Sequence, residues 1–158
     1  MIDVSSGYMA LQNLYGEYSA CLDQGEFEKW PEFFLDECEY RIQPRENYER
    51  KMPLSIMWLE SKGMLKDRVY GIRETLYHDP YYQRHIVAAP RVITAEDDEI
   101  RSEANYLVLR IKQDELAEVF NVGRYIDVVR KTPDGLKFKS RQCIFDSELI
   151  PNSIIYPI

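Results

Sequence analysis

Apolar residues in the first part of the chain fall at three- and four-residue intervals. Leu11, Leu14, Tyr15, Tyr18, Cys21 and Leu22 share one face at that spacing, which predicts an amphipathic helix with Ser5 or Ser6 as its cap. The DQG step that follows ends it, because Gly25 permits the backbone to reverse. A second short helix is expected to turn Trp30, Phe33 and Phe34 inward, with Pro31 tolerable only near its first turn. The period then shortens. Cys38, Tyr40 and Ile42 alternate with Glu37, Glu39 and Arg41, the pattern of a strand with one buried face. QPRENYERKMP is polar, carries two prolines and reads as a loop. Helical spacing returns at Leu54, Met57 and Trp58, and again at Leu65, Val69, Ile72 and Leu76, with Gly63 dividing the two pieces.

After His78-Asp79-Pro80 the chain turns β-prone in four runs, over residues 84–94, 99–111, 116–129 and 136–147. Their separators AEDD, KQDE and KTPDG are short and charged, and the last holds an Asp-Gly turn pair. Connections this short join antiparallel neighbours, so a meander is expected. Helices first and a long sheet afterwards predict an α+β fold with the helices on one face of the sheet. No repeat, linker or composition break divides the chain. Residues 1–158 are expected to form a single domain, a normal size for a unit that buries its own core.

The net charge of −7 argues against nucleic acid and anionic membranes, which select basic patches. Twelve tyrosines point to half-buried surfaces, where a ring packs and its hydroxyl meets water or a partner. Cys21, Cys38 and Cys143 are odd in number and far apart, so neither a disulfide framework nor a zinc site is indicated. MIDVSSGYMALQ lacks the basic and apolar regions of a signal peptide, and no apolar run is long enough to cross a bilayer. The expectation is a soluble cytoplasmic protein with reduced thiols.

Chemistry has few candidates. Asp23 beside His85 would fix the imidazole tautomer and make it a proton acceptor near neutral pH. The competing reading makes Asp23 the cap of the helix break and His85 the start of the first meander strand. A metal site with two histidines and a carboxylate would need both His78 and His85, across a loop-to-strand junction. The paired cysteines and histidines of a Rieske centre are absent, as are phosphate loops and a nucleophile elbow. Arg68 and Arg73 flank the apolar stripe of their helix and suit carboxylates across an interface, or surface salt bridges. The tail IPNSIIYPI must dock, through Ile154, Ile155, Tyr156 and Ile158, on its own sheet or on a neighbouring chain.

The opening helix, LDQGEFEKWPEFF and the ECEYRI strand resemble the start of NTF2-like cone domains. MPLSIMWLESKGMLKDRVYGIRET, QRHIV and VGRYIDVVRKTPDGLKFKSRQCIFDS narrow this, and in that order they are similar to the small (β) subunit of aromatic-ring-hydroxylating dioxygenases. The likeness covers nearly the whole chain. Residues 52–74 look most like subunits serving aromatic carboxylates such as terephthalate, anthranilate or salicylate. AAP, residues 88–90, departs from the Ser-Asn that many members carry after the histidine.

The resemblance implies a cone-shaped, strongly curved mixed or antiparallel sheet with N-terminal helices on its concave side. It implies a structural, non-catalytic chain with no cofactor of its own, working in aromatic compound catabolism. The Rieske 2Fe–2S cluster and a mononuclear Fe(II) would belong to a large (α) subunit, and three small subunits would trimerise within an α3β3 assembly. Phe120, Tyr106, Phe138 and Tyr125 would then fill the cone or line its edges. The alternative is a stand-alone NTF2-like lyase, isomerase or dehydratase that uses Asp23 and His85 for proton transfer. A hollow cone would favour the second, or a small-molecule binding module on the same fold.

Overall fold

In a computed structural model, which describes residues 4–150 and 153–158, the predicted first helix is α1, Val4–Asp23. Its stripe is buried as the spacing requires, with Leu11 and Tyr18 fully enclosed. Ser5 and Ser6 lie inside its first turn rather than ahead of it. Gly25, at φ 71°, closes the helix, and the N–H groups of Gly25 and Glu26 donate to the carbonyls of Leu22 and Cys21. A 3-10 segment, Phe27–Phe33, then carries Trp30 into the core, where its indole N–H donates to Tyr18 Oη at 3.1 Å. Phe34 opens strand β1, Phe34–Pro44, instead of ending that segment, yet its ring points inward as expected.

The stretch read as a loop contains a short helix, α2, Arg45–Glu49. Residues expected as a helix around Leu54 to Trp58 instead extend into strand β2, Met57–Leu59, antiparallel to β1. The helical spacing there was a coincidence of Leu54, Met57 and Trp58. Backbone pairing prevails, with the Ile56 N–H donating to Ile42 O at 2.8 Å. Helix α3, Lys62–Tyr70, is capped by Ser61, which accepts from the Met64 N–H, and runs on into a π-helical turn at Gly71–Thr75. Leu65, Val69 and Ile72 are buried as predicted, whereas Leu76 lies past the turn and is partly exposed.

The run expected over 84–94 divides into β3, Tyr81–Val87, and β4, Arg91–Glu96. The break falls at AAP, where Pro90 has no N–H to give a ladder. Both strands lie along one edge of β5, Glu99–Lys112, which is long enough to pair with each in turn. Strands β6, Glu118–Thr132, and β7, Gly135–Phe145, complete the meander. The order is β2-β1-β7-β6-β5-β3, and β1 joins β7 in parallel while the other pairs are antiparallel. Register shifts in the β4–β5, β5–β6 and β6–β7 ladders bend the sheet. Its concave face receives α1, the 3-10 segment and α3.

Candidate functional site

Asp23 and His85 meet. Asp23 ends α1, and His85 sits mid-way along β3, at the end of the strand order. Both carboxylate oxygens accept the His85 main-chain N–H at 3.0 Å, and Oδ1 lies 2.6 Å from Nδ1. A carboxylate accepts only, so Nδ1 carries a proton toward it. Nε2 is buried and has no hydrogen-bond partner among the described residues. The Asp23 carboxylate thus supplies the acceptor that an edge strand lacks on its open side. A hollow of about 390 Å³ lies between α1 and the end of β3, with Tyr15, Ser19 and Ala88 in its wall. His85 also borders that hollow, although its side chain has no solvent-exposed surface.

A hollow of about 880 Å³ opens between the start of α1 and strands β4 and β5, walled by Tyr8, Leu11, Pro90, Val92 and Ile100, but the deep core beyond the pair is occupied. Arg141 and Asp127 are both inaccessible to solvent and form a two-pronged ion pair, at 3.0 Å from Nε to Oδ1 and 2.8 Å from Nη2 to Oδ2. Tyr15 Oη donates to the same carboxylate and lies 3.0 Å from Ser102 Oγ. Four rings surround the guanidinium: Tyr125 at 3.9 Å, Phe138 at 4.1 Å, Tyr18 at 4.3 Å and Tyr15 at 4.6 Å from its central carbon. Burial opposes the Arg141 charge, but the Asp127 carboxylate and its hydrogen bonds hold the guanidinium protonated. Burial pushes the phenols of Tyr15, Tyr18, Tyr40, Tyr106 and Tyr125 far up, so they act as neutral donors rather than acids. Phe120, Tyr106, Phe138 and Tyr125 all fill the core. Sequence reasoning passed over Arg141 and Asp127. The available signal was strand parity, since Asp127 shares a face with Tyr125 and Val129, and Arg141 with Cys143 and Phe145.

The remaining candidates are engaged within the chain. Arg68 Nη2 donates to the carbonyls of Ile154 and Ile155 at 2.8 Å each and fastens the tail. Ile154, Tyr156 and Ile158 are buried, and Tyr18 and Tyr40 donate to Ile158 O at 2.9 and 2.8 Å. Ile155 is partly buried. Arg73 bonds the Glu28 carboxylate at 2.5 and 3.0 Å and the Gly25 carbonyl at 2.8 Å. That hydrogen bond lowers the Glu28 pKa and raises that of Arg73. His78 serves the tail, with Nε2 2.9 Å from Tyr156 Oη. Among the described residues no group of three or more His, Cys, Asp or Glu side chains is placed to hold a metal ion. Burial pushes the thiols of Cys21 and Cys38 up to about 11 and that of Cys143 up to about 12. Among the described residues no helix is long and apolar enough to cross a membrane.

A curved mixed sheet with helices in its concavity defines an α+β domain of the NTF2-like class. The chain belongs to the ring hydroxylating beta subunit family, whose model matches residues 19–152. It is 32% identical over 145 residues to the small subunit of anthranilate 1,2-dioxygenase from Burkholderia cepacia, covering 92% of this chain and 90% of that one. It is 28% identical over 141 residues to subunit beta 1 of the terminal oxygenase component of terephthalate 1,2-dioxygenase from Comamonas sp, covering 89% and 92%. A crystal structure assigned to the beta subunit of an aromatic-ring-hydroxylating dioxygenase of Novosphingobium aromaticivorans superposes with a TM-score of 0.90, at 31% identity and 98% coverage of both chains.

Proposed function

We propose that this chain is the small (β) subunit of a Rieske-type aromatic-ring-hydroxylating dioxygenase and serves assembly rather than chemistry. The observation that carries the reading is family membership in a chain whose deep core is filled by its own side chains, the Arg141 stack above all. A large (α) subunit supplies the Rieske cluster and the mononuclear Fe(II), and three small subunits support three large ones in the cytoplasm. The relatives named for anthranilate and terephthalate support an aromatic carboxylate as substrate. Of the six expected contact residues, Arg73 and Ile155 keep surface for a partner. Arg68, Ile154, Tyr156 and Ile158 act from within by holding the tail in place.

A second reading, proton transfer by Asp23 and His85, is favoured by their 2.6 Å contact. Two measurements separate the readings. Co-expressed with its large subunit, the chain should elute in a complex of three plus three, and turnover should need both chains. Turnover by the small chain alone would sink the structural reading. Asp23→Ala strands the buried His85 donors and should cost about 1–3 kcal/mol of stability, read by urea unfolding. The assembled complex carrying it should keep turnover near wild type, whereas the second reading expects a loss of roughly a hundredfold or more.

A further inference from the structure

The stretch leading into β2 holds an apolar ridge open to solvent. Met52, Leu54, Ile56 and Trp58 alternate along it and are 46%, 64%, 40% and 41% exposed, while Met57 turns inward. β2 is the last strand of the sheet, and among the described residues no further strand lies beyond it. The ridge is fixed in shape. Arg41 donates from Nη2 to Pro53 O at 2.8 Å and from Nε to Ser55 Oγ at 2.6 Å. The buried Gln43 donates from Nε2 to the carbonyls of Met52 at 2.7 Å and Leu54 at 3.2 Å. These bonds order a segment without regular structure so that it presents four apolar side chains to water. A surface ordered beforehand loses little freedom when it is covered. Its composition also fits, since Trp, Met and Arg are enriched at protein interfaces, and the Arg41 guanidinium lies 4.1 Å from the Trp58 ring centre.

Charge decides what covers it. A hollow of about 350 Å³ adjoins the ridge, lined by Arg41 and Lys51, by the amides of Gln43, Asn47 and Gln142, and by no carboxylate. Nearby Arg45 and Arg50 pair with Glu49 and Glu46, but Arg41 and Lys51 have no ion-pair partner among the described residues. This is a basic socket on a chain of net charge −7. A second copy applied about a two-fold axis would set Arg41 and Lys51 against themselves, which like charges oppose. The head-to-tail contact of a trimer would bring a different face of the copy, and the self-association of the small chain alone reads that alternative. The geometry points to one occupant: a face of the large, iron-bearing subunit that covers the ridge of residues 52–58 with apolar side chains and places a carboxylate in the Arg41–Lys51 hollow. This inference rests on the dioxygenase reading above.

Three variants test it, Leu54→Ser with Ile56→Ser, Lys51→Glu, and Val119→Ser as a control on another exposed surface. Each changes an exposed side chain, so melting temperatures should stay near wild type. Sedimentation gives the self-association of each small chain alone, and titration with purified large subunit gives Kd. The first two variants should weaken large-subunit binding at least about tenfold, leave self-association unchanged, and differ from the control, which should bind as wild type does. Wild-type affinity in both ridge variants would overturn the inference alone, and so would a loss confined to self-association. A wild-type chain that takes up no large subunit would overturn the dioxygenase reading and this inference with it.

Discussion

Arg141 and Asp127 fill the deep core of the cone. Withdrawing two charges from water is costly, and the pair repays it through a two-pronged bond, the Tyr15 hydroxyl and four ring faces. The arrangement tolerates no half measures. Arg141→Met would leave the Asp127 carboxylate buried without its partner and should cost about 3–5 kcal/mol by urea unfolding. Adding Asp127→Leu should restore most of that loss, because an apolar pair of similar volume asks for no charge to be buried. A single variant as stable as wild type would mean that water reaches the carboxylate, and that the interior is less filled than the ring contacts indicate.

Between elements, what could be read in advance depended on whether the side-chain pattern had one source. α1 was legible because a single buried face imposes a single period on Leu11 to Leu22. β5, β6 and β7 were legible because alternation and charged turns agree. β2 was not, since Leu54, Met57 and Trp58 fit a helical spacing while Arg41 and Gln43, distant in sequence, hold the backbone extended. Asp23 and His85 stood out as candidate residues, but across 62 positions of sequence neither their contact nor its bond to main chain can be read from residue types alone. Arg141 and Asp127 escaped notice because a charged residue within a strand ordinarily faces water. Gly123 carries a constraint of the same non-local kind. A Cβ there would lie 1.9 Å from the Ile144 carbonyl oxygen, in backbone that β6 and β7 share. Gly123→Ala should therefore destabilise by about 3 kcal/mol or more. Gly16→Ala, on α1 with nothing within 4 Å of the new methyl, should stabilise by about 0.5–1 kcal/mol. Equal unfolding midpoints for the two variants would refute the close approach.

For the molecule as a whole, the tail links folding to assembly. Ile154, Tyr156 and Ile158 are 4%, 8% and 0% exposed, and burying such side chains contributes about 1.5–3 kcal/mol each. Tyr18 and Tyr40 add hydrogen bonds to Ile158 O, and Arg68 adds two more to the carbonyls just before it. The sum approaches the roughly 5–15 kcal/mol that separates a folded domain from its unfolded chain. Deleting residues 154–158 should therefore lower the melting temperature steeply or abolish the transition, in the isolated chain and before any partner is added. Failure to join a large subunit would follow from that. Arg68→Ala, which keeps the tail but removes its fastening, should melt between wild type and the deletion and still assemble at low temperature. A deletion that melts like wild type yet cannot assemble would move the tail from the core to the interface, and with it the role assigned to Arg68.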